Sequence, residues 1–230
     1  MRVNLFNGFS AMVHPPVCLI CQQKIVKHGE VICLECDYHL PRANFHTEEN
    51  NKFTEKFWGR LPVVAGASMY YFNGSEPIKN LIHALKYKGK TKIGEHVGCL
   101  LGRRISYTPA FQEIDTVLPI PLHPRKQLKR GYNQSDSFAK GLAKTLNTDC
   151  QDDLLSRKVD TKSQTTMNVQ ERMENVENIF KVEQPEKLIN KHVLLVDDVI
   201  TTGATLEACA KEILKIEGAK VSMATIAYAL

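Results

Sequence analysis

Two adjacent carboxylates, Asp197 and Asp198, follow an apolar run, Val193, Leu194, Leu195 and Val196, and precede Thr201, Thr202, Gly203, Ala204 and Thr205. Side by side, the acids offer acceptors for two hydroxyls. The Thr/Gly loop opens an apolar-periodic stretch, which places hydroxyls and unpaired backbone N–H groups at a helix N-terminus, a ready anion site. A phosphate cradle beside two hydroxyl acceptors suits a sugar 5-phosphate. An acid pair at a strand end could also complete a P-loop site. The nearest match to that pattern, residues 84–91, has Ala84 where the first Gly belongs. It also continues a helical stripe of Ile78, Leu81, Ile82 and Leu85 rather than a strand. A purely structural role fits poorly, because adjacent ionised acids repel one another without a partner.

A second constellation lies near the N-terminus. Cys18 and Cys21 form one C-x-x-C, Cys33 and Cys36 another, with eleven residues between. Each turn offers two thiolates, and the two together can complete a tetrahedral S4 site with no open position, so a structural zinc ion is expected. The spacer is shorter than in common zinc patterns. A redox dithiol needs only one C-x-x-C and a surrounding βαβ pattern that is missing here. His39 is the alternative ligand should one cysteine not reach.

Several elements must position these groups. The residues before the acid pair read as a buried parallel strand, ending at the carboxyl edge where open α/β sheets bind ligands. Further strands are predicted over 61–72, 116–120 and 221–228, and helices over 77–88, 93–106 and 135–146. Gly89 closes the first helix, and Asn133 or Ser135 caps the third. Lys79, Lys86, Lys88, Lys90 and Lys92 crowd the end of the first helix, either as a solvated face or as a phosphate-facing rim. The second strand runs into a Pro-rich loop with Arg125, Lys126, Lys129 and Arg130, facing the same edge and suited to a diphosphate. Residues 41–60 read as a linker. In it, Phe53, Phe57 and Trp58 pack one module on the other, or form an aromatic platform for nucleic acid. The division is a zinc module over 1–50 and an α/β domain over 51–230.

Composition is that of an ordinary globular chain: 43% hydrophobic, 24% charged, net charge +5. No apolar core long enough for a signal peptide opens the chain, and no stretch is long and apolar enough to span a membrane, so a cytoplasmic location is expected. Seven cysteines without a secretion signal argue against a disulfide framework.

VLLVDDVITTGATL resembles the phosphoribosyl pyrophosphate (PRPP) motif of type I phosphoribosyltransferases. LKYKG, then PLH…RGYNQS, resemble segments of the ComF family, the late-competence phosphoribosyltransferase-like proteins. R-x3-T-x2-Q followed by R-x2-N-x4-F, from Arg157 to Phe180, is similar to that family's hood segment, although Arg172 and Asn175 also suit an ordinary helix surface. The resemblance covers nearly the whole chain, in family order. Lys158 beside Arg157 and a long acidic linker depart from it. It implies a mostly parallel sheet with a hood and an N-terminal zinc-ribbon-like module. Asp197 and Asp198 would hold the ribose hydroxyls, and Thr201, Thr202, Gly203, Ala204 and Thr205 the 5-phosphate. Arg157, Thr161, Gln164 and Arg172 would lie in the hood. Chemistry would be Mg²⁺-assisted displacement of pyrophosphate, with Arg125 and Arg130 stabilising the leaving group. The family's link to DNA uptake implies single-stranded DNA and competence or DNA-processing proteins as partners. A phosphoribosyltransferase of nucleotide salvage, with an unidentified acceptor, is the alternative.

Overall fold

Along the strand that carries the motif, side chains alternate between two cores, as period-2 geometry requires. Leu194 and Val196 pack into one cluster, Val193 and Leu195 into the other, and all four are fully buried. The computed structural model describes residues 16–27, 30–48, 50–87, 91–157 and 179–230. In chain order the elements are α1 (Leu34–His39), α2 (Lys52–Glu55), β1 (Val63–Phe72), α3 (Glu76–Tyr87), α4 (Thr91–Ile105), α5 (Pro109–Gln112), β2 (Thr116–Pro119) and α6 (Pro124–Arg130). There follow α7 (Gln134–Leu146), β3 (Asp149–Cys150), β4 (Leu155–Arg157), β5 (Phe180–Val182), β6 (His192–Ile200), α8 (Ala204–Ile213) and β7 (Lys220–Ala229).

Five strands form one sheet in the order β1-β7-β6-β2-β3. Every pairing in it is parallel. β4 and β5 make a separate antiparallel pair. The expected α/β class is therefore observed. β2 passes on to β3, while β6 passes on to β7 on its other side. The crevice between β2 and β6 is thus the topological switch point, where such sheets bind ligands.

One face of the sheet is covered by α3, α4 and α7, the other by α8, the β4–β5 pair and an aromatic group. α4 and α7 approach unusually closely. A Cβ on Gly98 would lie 2.3 Å from the Phe138 carbonyl oxygen, and one on Gly141 2.2 Å from that of Glu95. Backbone cannot yield as a flexible side chain can. Gly141→Ala is therefore expected to cost about 1–3 kcal/mol through overpacking, read as a lower urea midpoint.

The stretch expected as a linker is instead an ordered strap. Ala43 N–H donates to the Met69 carbonyl at 3.0 Å and Tyr71 N–H to Pro41 at 2.7 Å, which covers the outer edge of β1. Asn51 and Thr54 form a capping box on α2, and Asn51 Nδ2 donates to Phe45 O at 2.8 Å. Phe53 and Phe57 are fully buried, stacking edgewise and tilted among Phe45, Tyr71 and Tyr228. Trp58, expected to pack, is 58% exposed. The knuckles join the domain too: Cys18, Ile20, Val26, Val31 and Cys33 belong to the same core as Leu81, Leu85, Ile93 and Val97.

Candidate functional site

The acid pair lies inside β6, not beyond its end. β7 continues alongside, pairing Asp197 with Thr225 and Ile200 with Tyr228. β2 stops at Pro119, opposite Val196. From Asp197 onward the strand is thus bonded on one side and open on the other, over the switch-point crevice. Both acids are partly buried.

Two groups hold Asp197. Ser135 Oγ donates to its Oδ1 at 3.1 Å, and the Asp198 backbone N–H donates to the same oxygen at 2.7 Å. Lys86 Nζ pairs with Asp198 Oδ2 at 3.2 Å. Burial, then the neighbouring Asp198 charge, pushes the Asp197 carboxyl up to about 7, against these hydrogen bonds and the Lys86 ammonium. An acid pair of this kind is short of positive charge and of donors, which a ligand can supply.

The Thr/Gly loop leads from β6 into α8. Gly203 adopts φ +84° as its N-cap, and no side chain caps that end. Thr201, Thr202, Ala204 and Thr205 are exposed around it, and Thr202 Oγ1 accepts only a long bond, 3.4 Å, from Ala204 N–H. The loop therefore presents hydroxyls and helix-end amides to an anion. Beneath it sits the strap: a Cβ on Gly203 would come within 3.0 Å of the Phe57 ring, and Arg60 pairs with Glu207 of α8.

The RGYNQS segment fastens the opposite wall. Asn133 Nδ2 donates to the Ile120 carbonyl at 2.9 Å and to Asp136 Oδ1 at 2.6 Å, tying the start of α7 to the end of β2. Asn133 stands at the N-cap, so Ser135 falls inside the first turn and serves Asp197 rather than capping the helix.

Other predicted residues fare differently. The expected basic loop is a helix, α6, begun by Pro124 behind the His123 cap and ended by Gly131 at φ +77°. Arg125 is exposed on its first turn, and Arg130 donates to Gln134 Oε1 at 2.8 Å; both lie past the carboxyl end of β2. Arg157 sits in β4, its guanidinium 5.3 Å from the Phe180 ring centre. Thr161, Gln164, Arg172, Lys88, Gly89 and Lys90 lie outside the described residues. Lys86 does not belong to a solvated rim; its ammonium lies on the acid pair.

Cys18, Cys21, Cys33 and Cys36 converge, their Sγ atoms all within 4.8 Å of one another. Four sulfurs about 2.3 Å from one ion lie about 3.8 Å apart, so the cluster fits a metal ion. The Lys24 backbone N–H, chiefly, draws the Cys21 thiol down to about 6, while burial pushes Cys33 and Cys36 up. Among the described residues no helix is long and apolar enough to cross a membrane.

A parallel sheet with an acid pair at its switch point and an uncapped Thr/Gly loop beyond defines a domain of the phosphoribosyltransferase class. The phosphoribosyl transferase domain family matches residues 133–230. The chain is 27% identical over 217 residues to the DNA utilization protein YhgH of Escherichia coli K12, covering 93% of this chain and 90% of that one. It is 27% identical to Competence protein F of Haemophilus influenzae, covering 87% and 85%, and 25% identical to Competence protein ComFC of Streptococcus pneumoniae, covering 89% and 83%. Together these matches support the ComF family of phosphoribosyltransferase-like proteins for this chain.

Proposed function

We propose that the protein binds PRPP with Mg²⁺ and serves the uptake or use of DNA in the cytoplasm, with single-stranded DNA and competence or DNA-processing proteins as partners. One arrangement carries the first part: Asp197 and Asp198 open onto the crevice one loop away from the uncapped start of α8. A ribose spans that gap, its hydroxyls on the acids and its 5-phosphate on Thr201, Thr202, Gly203, Ala204 and Thr205. The DNA role rests on the names of the relatives. In the proposed arrangement, residues 1–50 form a structural zinc module on the 51–230 domain.

Where an acceptor is present, the bond from the anomeric carbon to pyrophosphate breaks as the acceptor's forms. The carboxylates hold the ring as positive charge develops on it. Arg125 and Arg130 lie past the carboxyl end of β2, where the leaving group would emerge; by the family resemblance Arg157, Thr161, Gln164 and Arg172 would serve as the hood. Mg²⁺ on the diphosphate, when bound, neutralises charge on the leaving group.

Calorimetric titration with PRPP and Mg²⁺, followed by turnover with and without single-stranded DNA, tests this reading; absence of PRPP binding overturns it. The pH profile is a second check. A ribose is held by ionised Asp197, so affinity should rise with pH through about 7 and then level off. The ligand's own phosphates titrate near about 6, and comparison with Asp198→Asn subtracts them. That variant removes the neighbouring charge, so its midpoint should move down. The sign for stability is opposite. Between the usual carboxylate range and about pH 7 the folded chain holds the Asp197 proton more tightly than the unfolded chain, so this group's contribution to stability falls as pH rises through that window.

A further inference from the structure

Four groups form one chain of contacts across the crevice: Ser135, Asp197, Asp198 and Lys86. The last of them comes from α3, far from the acids in sequence. Ile78, Leu81, Ile82 and Leu85 are buried and fix α3 against the sheet, so the Lys86 backbone is held while its four-carbon stem stays free to swing. The Lys86 and Asp198 side chains are 25% and 17% exposed, so the pair is sheltered from solvent screening.

Asp197 Oδ1 already takes the Ser135 hydroxyl and the Asp198 N–H. Two sugar hydroxyls must therefore use Asp197 Oδ2 and the oxygens of Asp198, one of which carries the Lys86 ammonium. In a ribose held by its 2- and 3-hydroxyls, the C1 substituent is attached to the carbon next to C2. With the 2-hydroxyl on Asp198, that substituent projects close to Asp198 and within the sweep of the Lys86 stem.

We propose that Lys86 is a specificity-determining residue that leaves Asp198 for an anionic group on C1, so that the site prefers PRPP to ribose 5-phosphate. This rests on the PRPP reading of the site. With PRPP the ammonium exchanges a carboxylate for a diphosphate and stays paired, while Asp198 is released to the sugar. With ribose 5-phosphate there is no anion on C1. Lys86 then remains on Asp198 and competes with the hydroxyl. The opposing possibility is a fixed lysine that donates to the ribose hydroxyl and serves every ribose ligand alike.

Calorimetry on the full chain with Mg²⁺ separates the two, using PRPP and ribose 5-phosphate against wild type, Lys86→Met and Lys86→Arg. Lys86→Met, which keeps the stem and removes the charge, should weaken PRPP about ten- to a hundredfold. It should also tighten ribose 5-phosphate by about three- to tenfold, since a competitor has gone. Lys86→Arg keeps the charge and should keep the preference. A thermal melt of each variant confirms that it is folded. Should Lys86→Met weaken both ligands by the same factor, or change neither, the displacement is overturned while the PRPP reading stands. Wild-type protein that binds neither ligand overturns the PRPP reading itself, and the proposal with it.

Discussion

The Asp197→Asn/Asp198→Asn double variant is expected to bind PRPP at least about ten- to a hundredfold more weakly than wild type. Each carboxylate that accepts a sugar hydroxyl makes a charge-assisted hydrogen bond worth on the order of 1.5–3 kcal/mol, and an amide accepts more weakly. The same variant should not lose stability near neutral pH. Burial and mutual repulsion disfavour ionised Asp197 in the empty protein, so replacing both acids removes an unfavourable charge. One asparagine would also have to accommodate the Lys86 ammonium, which limits that gain. Calorimetry paired with a thermal melt reads both effects. Unchanged PRPP affinity in a folded double variant removes the ribose assignment.

Metal removal should have the second large effect. From sequence, Cys18→Ser or Cys36→Ser is expected to loosen residues 1–50 and spare ligand binding. The shared core argues for a wider effect. Cys18 and Cys33 are buried in the same cluster as Leu81 and Leu85 of α3, and Pro16, Glu30 and Val31 line a cavity with Lys92, His96 and Cys99 of α4. Structural zinc in small modules supplies folding free energy outright. Its loss here should cost several kcal/mol, about 10 °C or more in melting temperature for a chain of this size. It should also loosen α3, which carries Lys86. Metal analysis, then melts before and after chelation, check this. A metal-free protein with an unchanged melt and proteolysis pattern sinks the zinc assignment.

The parts that sequence made legible are those with strong local signals. The apolar run before Asp197, short and flanked by polar residues, reads as a buried strand, and it is one. The stripe of Ile78, Leu81, Ile82 and Leu85 could only be a helix face. The paired C-x-x-C brought four thiols together as expected. Where reading fell short, a competing local rule was present but outweighed. Three prolines around 119–124 suggested a loop, yet Pro124 behind a capping His123 is a helix start. Asn51 and Thr54 carried a capping box inside a polar stretch that read as a linker. Gly94, Gly98 and Gly102 recur every fourth residue on one helix face, a signature of close helix packing that carries neither charge nor a motif. Ser135 and Lys86 needed tertiary structure. Their partners are distant in sequence, and only the placement of α7 and α3 at one crevice brings them to the acids.

The strap has a consequence for where the working unit begins. Phe57 lies against Gly203, and Arg60 reaches Glu207, so the floor of the Thr/Gly loop comes from a segment that precedes the first strand of the sheet. A truncated chain starting at residue 61 would retain all five strands, both acids and every threonine of the loop, yet would have lost the ring on which that loop rests. Recombination or engineered exchange at the boundary suggested by the motifs would divide the proposed anion site from its own foundation. The heritable module is larger than the sequence that advertises it.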